Sequence, residues 1–445
     1  MDSESTSGDA GHELSLAEAL ALAVQCHREG NLEAAERIYG AVLELVPSQP
    51  DALHFLGVLK HQRGDSSAGA ELIRRAIVEA PSSPGIHNNF GNVLYEAERF
   101  DEAASAYERA VELSPNAGSY NNLGATRRVQ GRFEDAEVAY ERALTLDPHH
   151  ADTHNNFANL LASRGRIREA IDHFCSALKA QPNHPEARRQ LGFAYAALGR
   201  KEDAAAVYRQ WLLDEPENAV AAHLLAACSG EAIPERASDR FVERVFDNFA
   251  RSFDLKLAKL EYRAPELVLA ALSRAATPAK AFTTLDAGCG TGLCGALIVP
   301  YVSRLIGVDL SEQMLLKARG RGLYDELVKA ELTAYLEAQH ERFDLIVSAD
   351  TLVYFGSLGP VLSAAASALC PGGLLIFSVE LVDDEVTGGA GQRLNPHGRF
   401  SHSESYLRRA LGNAGLVARA FDRGILRREA GLPVEGVIVT AERPR

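Results

Sequence analysis

Basic residues are in short supply: 46 Lys and Arg face 60 Asp and Glu, for a net charge of -14 and an isoelectric point near 5.5. Such a chain lacks the cationic cover that a sequence-independent grip on nucleic acid requires, so no nucleic-acid partner is expected. Cysteine is sparse as well. The six residues Cys26, Cys175, Cys228, Cys289, Cys294 and Cys370 form no C-x-x-C pair. Neither a zinc site nor a disulfide frame is indicated, no metal is expected, and a reducing, cytoplasmic setting fits best. No stretch approaches the roughly 18 apolar residues of a membrane helix, and the first residues are Ser, Asp, Glu and Gly rather than a basic segment before an apolar one. That reads as a short disordered acidic lead over 1–13. The whole chain has 445 residues, 46% of them hydrophobic, more than one ordinary core holds.

Prolines announce a repeat. Pro47, Pro81, Pro115, Pro148, Pro182 and Pro216 follow one another at intervals of 33 or 34 residues. Small residues recur at Gly57, Gly91, Gly124, Ala158 and Gly192, and a second glycine at Gly30, Gly64, Gly131, Gly165 and Gly199, with Glu98 the exception. Ala35, Ala103, Ala136, Ala170 and Ala204 precede Tyr39, Tyr107, Tyr140, Phe174 and Tyr208 by four. The pattern resembles the tetratricopeptide repeat, with about six copies forming an all-α solenoid over 14–229. Small residues belong where two antiparallel helices cross, aromatics fill the gap to the next helix, and proline stops the second helix. The second copy is the poorest, with Gly69 and Ile73 in the alanine and aromatic places. In the sixth, Trp211 replaces a small residue, which suits an end repeat, and Glu217 to Cys228 reads as a cap helix. Asparagine pairs recur at Asn88-Asn89, Asn121-Asn122 and Asn155-Asn156, with Gln190 at the matching place. In repeats of this family that position faces the concave groove, which makes Asn89, Asn122 and Asn156 candidates for bonding the backbone of a protein partner. The other reading is that they shape helix starts and face water.

Ser229 to Asp239 carries glycine, proline and charges and reads as a junction, with a linker over 230–239 and a second domain over 240–445. Within it, an apolar run from Ala281 to Leu285 breaks into Asp286-Ala287-Gly288-Cys289-Gly290-Thr291-Gly292. A turn with three glycines so spaced lets a ligand approach the backbone. Asp309 closes a second strand, where an α/β nucleotide site grips ribose hydroxyls. The dinucleotide fingerprint G-x-G-x-x-G/A fails, because its last place is Leu293. Asp286 would also repel a pyrophosphate, whereas it could hold the ammonium of a sulfonium amino acid. Leu285 to Gly292 and Gly307-Val308-Asp309-Leu310-Ser311 resemble the first two motifs of the class I S-adenosylmethionine-dependent methyltransferases.

That resemblance implies an α/β Rossmann-like domain with a seven-stranded sheet, and S-adenosyl-L-methionine as cofactor. It assigns Asp286, Gly288, Gly290, Gly292, Asp309 and Leu310 to the cofactor, with Glu331 and Leu332 where this fold commonly contacts adenine. A segment with the look of Phe246 to Asp254 lies over the cofactor in these enzymes, although phenylalanines at helical spacing also serve as core. Arg263 is a candidate partner for the cofactor carboxylate. Strands are expected at Arg304 to Asp309, Val328 to Leu332, Phe343 to Asp350, Leu374 to Val379, Ala418 to Leu426 and Val434 to Ala441. Ligands of such sheets bind beyond the strands' carboxyl ends, which singles out Asp350 and Tyr354 under the reacting centre and Glu380 deeper in the acceptor pocket. His402 is the candidate base of near-neutral intrinsic pKa. Taken whole, the chain resembles bacterial predicted methyltransferases that carry tetratricopeptide repeats. The leading expectation is an enzyme whose repeats recruit a protein substrate or partner. Two alternatives stand beside it: a small-molecule or lipid-linked methyltransferase with repeats used only for assembly, and a scaffold with a non-catalytic cofactor domain.

Overall fold

The computed structural model describes residues 14–250, 253–429 and 432–445; the acidic lead and Arg251-Ser252 lie outside them. The proline period becomes pairs of antiparallel helices, beginning with Leu16–Arg28 and Leu32–Leu45 and ending with the sixth pair, Pro185–Ala197 and Lys201–Asp214. Side chains start many of them: Asn31 accepts from Ala34 N at 3.2 Å and Asp65 from Ala68 N at 2.9 Å, satisfying donors that a helix start leaves over. Between the two helices of a pair the chain turns through a left-handed residue. Glu98, at the place where other copies have glycine, adopts φ 62° all the same.

The recurrent small residue is a matter of space. A Cβ on Gly124 would lie 2.7 Å from the Tyr140 ring, and one on Gly91 2.5 Å from that of Tyr107. Tyr140 also stacks on Phe157 of the next copy, with centroids 5.7 Å apart. Tyr107 and Tyr140 thus press on their own repeats' glycines, and Tyr140 also fills the gap to the next helix. In the divergent second copy, a Cβ on Gly69 would meet Gly57 O at 2.6 Å. With no tyrosine between them, two glycines let those helices touch backbone to backbone.

The chain divides into two compact units, 1–187 and 188–445. The second begins inside helix Pro185–Ala197, so it contains Lys201–Asp214 and the cap helix Ala219–Ser229. Trp211 is buried there against Tyr208, Val220, Leu224 and Phe241. The stretch read as a linker is fastened: Ala237 N donates to Tyr354 O at 2.8 Å, and Gly356 N and Ser357 N both donate to Glu235 O at 2.8 Å.

The sheet of this unit comprises β1 (Phe282–Ala287), β2 (Val302–Asp309), β3 (Glu326–Lys329), β4 (Phe343–Ser348), β5 (Leu369–Leu381), β6 (Gln392–Leu394), β7 (Phe400–His402), β8 (Val417–Glu429) and β9 (Leu432–Glu442). Strands run parallel in the order β3-β2-β1-β4-β5, as crossover helices require, and the β8/β9 hairpin joins β5 antiparallel. These are the seven expected strands. Two short ones are additional, since β7 pairs the end of β5 at Glu380 and Leu381 and carries β6 with it. The third strand is corrected too: it stops at Lys329, and Leu332 opens a helix because Glu331 accepts from Thr333 N and Ala334 N at 3.0 and 2.8 Å. No helix among the described residues is long and apolar enough to cross a membrane.

Candidate active site

The loops after β1, β2, β3 and β4 meet beyond the strands' carboxyl ends. Gly288 and Gly290 have φ of 75° and 54°. A Cβ on Gly288 would fall 2.0 Å from Thr351 Oγ1, whereas one on Gly290 would find only Phe253 Cε1, at 3.9 Å. Gly288 is therefore required for packing, and Gly290 borders open space. Asp309 spans this turn: Oδ2 accepts from Gly290 N and Oδ1 from Ser311 N, both at 2.9 Å. Burial raises its pKa, and those backbone donors oppose the rise. Asp286 accepts from Tyr324 Oη at 2.7 Å, and burial pushes its carboxyl up to about 6. Gly292 caps helix Leu293–Ile298, packed by Tyr324 and Arg321.

A cavity of about 490 Å³ opens here. Gly288, Gly290, Asp309, Leu310, Glu331 and Leu332 line the part beyond β1 to β3. Asp350, Tyr354, Tyr262, Arg427 and Glu429 line the part toward β5 and β8. The aromatic stripe is a wall of it. Phe246 meets Phe253 and Tyr354 edge-on, at 6.0 and 5.5 Å between centroids. The two helices carrying the stripe, Asp239–Phe249 and Phe253–Lys259, are tied down over the loops. Ser311 Oγ donates to Asp247 at 2.5 Å, Thr291 Oγ1 to Asp254 at 2.6 Å, and Arg321 pairs with Asp254 at 2.7 Å.

Beneath the part toward β5 and β8 lies a buried ion cluster. Arg427 bonds Asp350 at 2.6 Å, Glu429 at 2.7 Å, and Glu380. Arg399 bonds Glu380 at 2.8 Å and also Glu429. Ser378 Oγ donates to Asp350 Oδ1 at 3.0 Å and accepts from Asp350 N at 2.8 Å, fixing that residue at φ 56°. Glu380 belongs to this cluster rather than to the wall. Burial raises and Arg399 lowers its pKa, with a net depression.

Other expected residues lie elsewhere. Arg263 is exposed and off the cavity wall, its backbone N donating to Leu426 O at 2.8 Å. His402 is fully buried, stacked on Tyr406 with Nε2 3.1 Å from Gly356 O, and burial holds its pKa near about 4. It faces the Gly356 loop and the helix Glu404–Asn413, not the cavity. His397, Arg399, Arg427 and Glu429 were missed, as were Arg189, Gln190, Phe193, Val220 and Leu224, which the terminal repeat and cap helix contribute to the wall. The only signal in the sequence was Trp211, which marked that end as packed. Among the described residues no group of three or more His, Cys, Asp or Glu is placed to hold a metal.

In the first unit the asparagines form rungs with one another. Asn156 Nδ2 donates to Asn121 Oδ1 at 3.0 Å, and Asn122 Nδ2 to Asn92 Oδ1 at 3.2 Å. Asn89 Nδ2 reaches His54 Nε2 at 2.9 Å. These bonds hold adjacent copies in register, a use that neither sequence reading included.

Residues 285–377 match the family model of a methyltransferase domain, and 28–84, 84–117, 115–183 and 161–228 match tetratricopeptide repeats. The chain carries a methyltransferase domain preceded by tetratricopeptide repeats. It is similar to methyltransferase-like protein 27 of Homo sapiens, 42% identical over 18% of this chain and 34% of that one. It is also similar to the ubiquinone biosynthesis O-methyltransferase of Hydrogenovibrio crunogenus, 30% identical over 22% and 42%. The chain thus spans under half the length of these two relatives. A solved structure of Pseudomonas aeruginosa PilF shares 20% identity, covering 47% of this chain and 96% of that one with a TM-score of 0.42. The methyltransferase-domain match runs from β1 into β5 and ends at Phe377, before every residue of the ion cluster except Asp350.

Proposed function

We propose that the protein is an S-adenosyl-L-methionine-dependent methyltransferase whose repeats recruit a protein substrate or partner in the cytoplasm. The observation that carries this reading is the open space at Gly290, bordered by a buried carboxylate on one side and the phenylalanine wall on the other. Asp309 would hold sugar hydroxyls, Leu310 and Leu332 would flank the base with Glu331 at its edge, and Asp286 would hold the ammonium end. Bound there, the cofactor supplies a methyl group on a sulfonium whose leaving thioether is neutral. The chain's own task is then to align the acceptor and exclude water, which in good geometry contributes up to roughly 7–11 kcal/mol. Phe246, Phe249 and Phe253 exclude water, while Asp350 and Tyr354 stand where an acceptor enters. In the repeats, Asn89, Asn122 and Asn156 retain hydrogen-bonding capacity beyond the rungs they make, because an amide both donates and accepts.

Calorimetric titration with S-adenosylmethionine tests the site. Asp309→Ala and Gly290→Val should each lose binding at least a hundredfold with unchanged circular dichroism; normal affinity in both removes the assignment. An Asn89/Asn122/Asn156 triple alanine variant that keeps every partner of the full chain removes the groove from the proposal.

A further inference from the structure

Resting on the methyl-transfer reading, we propose that the acceptor is an amine carried on an apolar or aromatic body, its nitrogen held by Asp350 and Glu429 and its body by Phe193 and Phe249. Three carboxylates, Asp350, Glu380 and Glu429, meet only two guanidiniums in the cluster at this end of the cavity. Arg427 is flanked by all three and Arg399 by two, so an incoming carboxylate or phosphate would have to break a buried pair to find a cation. A group that brings N–H donors and positive charge instead completes the balance. His397 does not supply that charge. Its Nε2 lies 3.6 Å from Glu380, but burial first and Arg399 next hold its pKa near about 4, which leaves it neutral at pH 7.

Two further acceptors wait at the same place. Tyr262 and Tyr354 line the cavity, and neither hydroxyl bonds another described residue. Of the remaining cations of this wall, Arg236 pairs with Asp239 at 2.5 Å, and Lys256 and Arg189 both pack on the Phe249 ring, at 4.1 and 5.2 Å from its centroid. These last two belong to the aromatic side, where Phe193 and Leu224 also stand. The two sides therefore differ in kind: one is carboxylate-rich and the other aromatic, its two cations stacked on a ring, which suits the polarity of an arylalkylamine. Asp350 is the floor group readiest to take a proton, since burial raises its pKa against the pull of Arg427. The proton passes from R–NH3+ to the carboxylate, giving R–NH2 with a free lone pair and a neutral carboxylic acid.

The test is binding rather than turnover. Full-length protein saturated with S-adenosylhomocysteine is titrated calorimetrically with phenethylamine, 4-ethylphenol and 3-phenylpropanoate. Phenethylamine should bind at least tenfold more tightly than either of the others. Glu429→Gln should weaken it at least fivefold without changing affinity for S-adenosylhomocysteine, and Phe193→Ala should weaken all three probes alike. Equal or tighter binding of the phenol or the acid overturns the amine assignment, as does absence of amine binding to the loaded protein. Failure of S-adenosylhomocysteine itself to bind overturns the underlying reading instead. The ranking on the unmutated protein stands however the variants fold.

Discussion

Arg166 in the helical array and Arg427 in the α/β unit each bond two or more carboxylates, yet their surroundings are opposite. Arg166 pairs with Glu137 and Glu169 with 39% of its side chain exposed, whereas Arg427 meets Asp350, Glu380 and Glu429 with 4% exposed. In water an ion pair gains little, because solvent already satisfies both charges. Inside the protein the same pairing is obligatory, since each partner has lost its hydration. The array therefore keeps this pairing at its surface, and the α/β unit buries it beside the cavity.

The sharpest way to break that contrast is to delete each arginine. Arg427→Met leaves buried carboxylates without their partner and should cost about 3–5 kcal/mol in urea denaturation. Arg166→Ala should leave the midpoint nearly unmoved. Similar shifts in the two variants would remove the distinction.

Acid should separate the units next. His54 is buried in the array and protonates near about 4, against 6.5 when exposed. Between those values the unfolded chain holds more protons, so stability falls as pH drops from 6.5 toward 4, by up to about 3 kcal/mol. His402 acts likewise in the second unit, but Asp286 opposes it: its folded carboxyl protonates near about 6, above the unfolded range, so acidification favours the folded state there. Urea titrations at pH 7, 5.5 and 4.5 should show a falling midpoint that His54→Gln flattens. An unchanged slope in that variant contradicts the assignment.

Packing and backbone give the smaller effects. Gly124→Ala drives a methyl into the Tyr140 ring and should destabilise by about 1–3 kcal/mol. Glu98→Gly relieves a left-handed conformation and should stabilise by about 1 kcal/mol, read as a rise in melting temperature.

The two units were also unequally legible. The array repeats every third of a hundred residues, so Gly91, Tyr107 and their equivalents stood out by position alone. Even the odd second copy became intelligible once Gly57 and Gly69 were seen to touch. Asp286 to Gly292 and Asp309 could be read as neighbours because one turn and one strand end bring them together. The rest of the cavity wall draws on Arg189, Tyr262, Asp350, Arg399 and Arg427, which only the folded chain brings together. Short strands β6 and β7 carry no period that three residues can display. His402 misled because a histidine near a helix start looks solvent-facing until strand pairing buries it.

The terminal repeat contributes Phe193 and the cap helix Val220 and Leu224 to the cavity wall, and His223 Nε2 lies 2.8 Å from Gly398 O. Anyone building chimeras from this protein would naturally cut at the proline-containing seam near residue 234. A graft made there would deliver an α/β module with one side of its cavity missing. The interchangeable part ends earlier, before Arg188, and a swapped array has to be spliced in ahead of that residue.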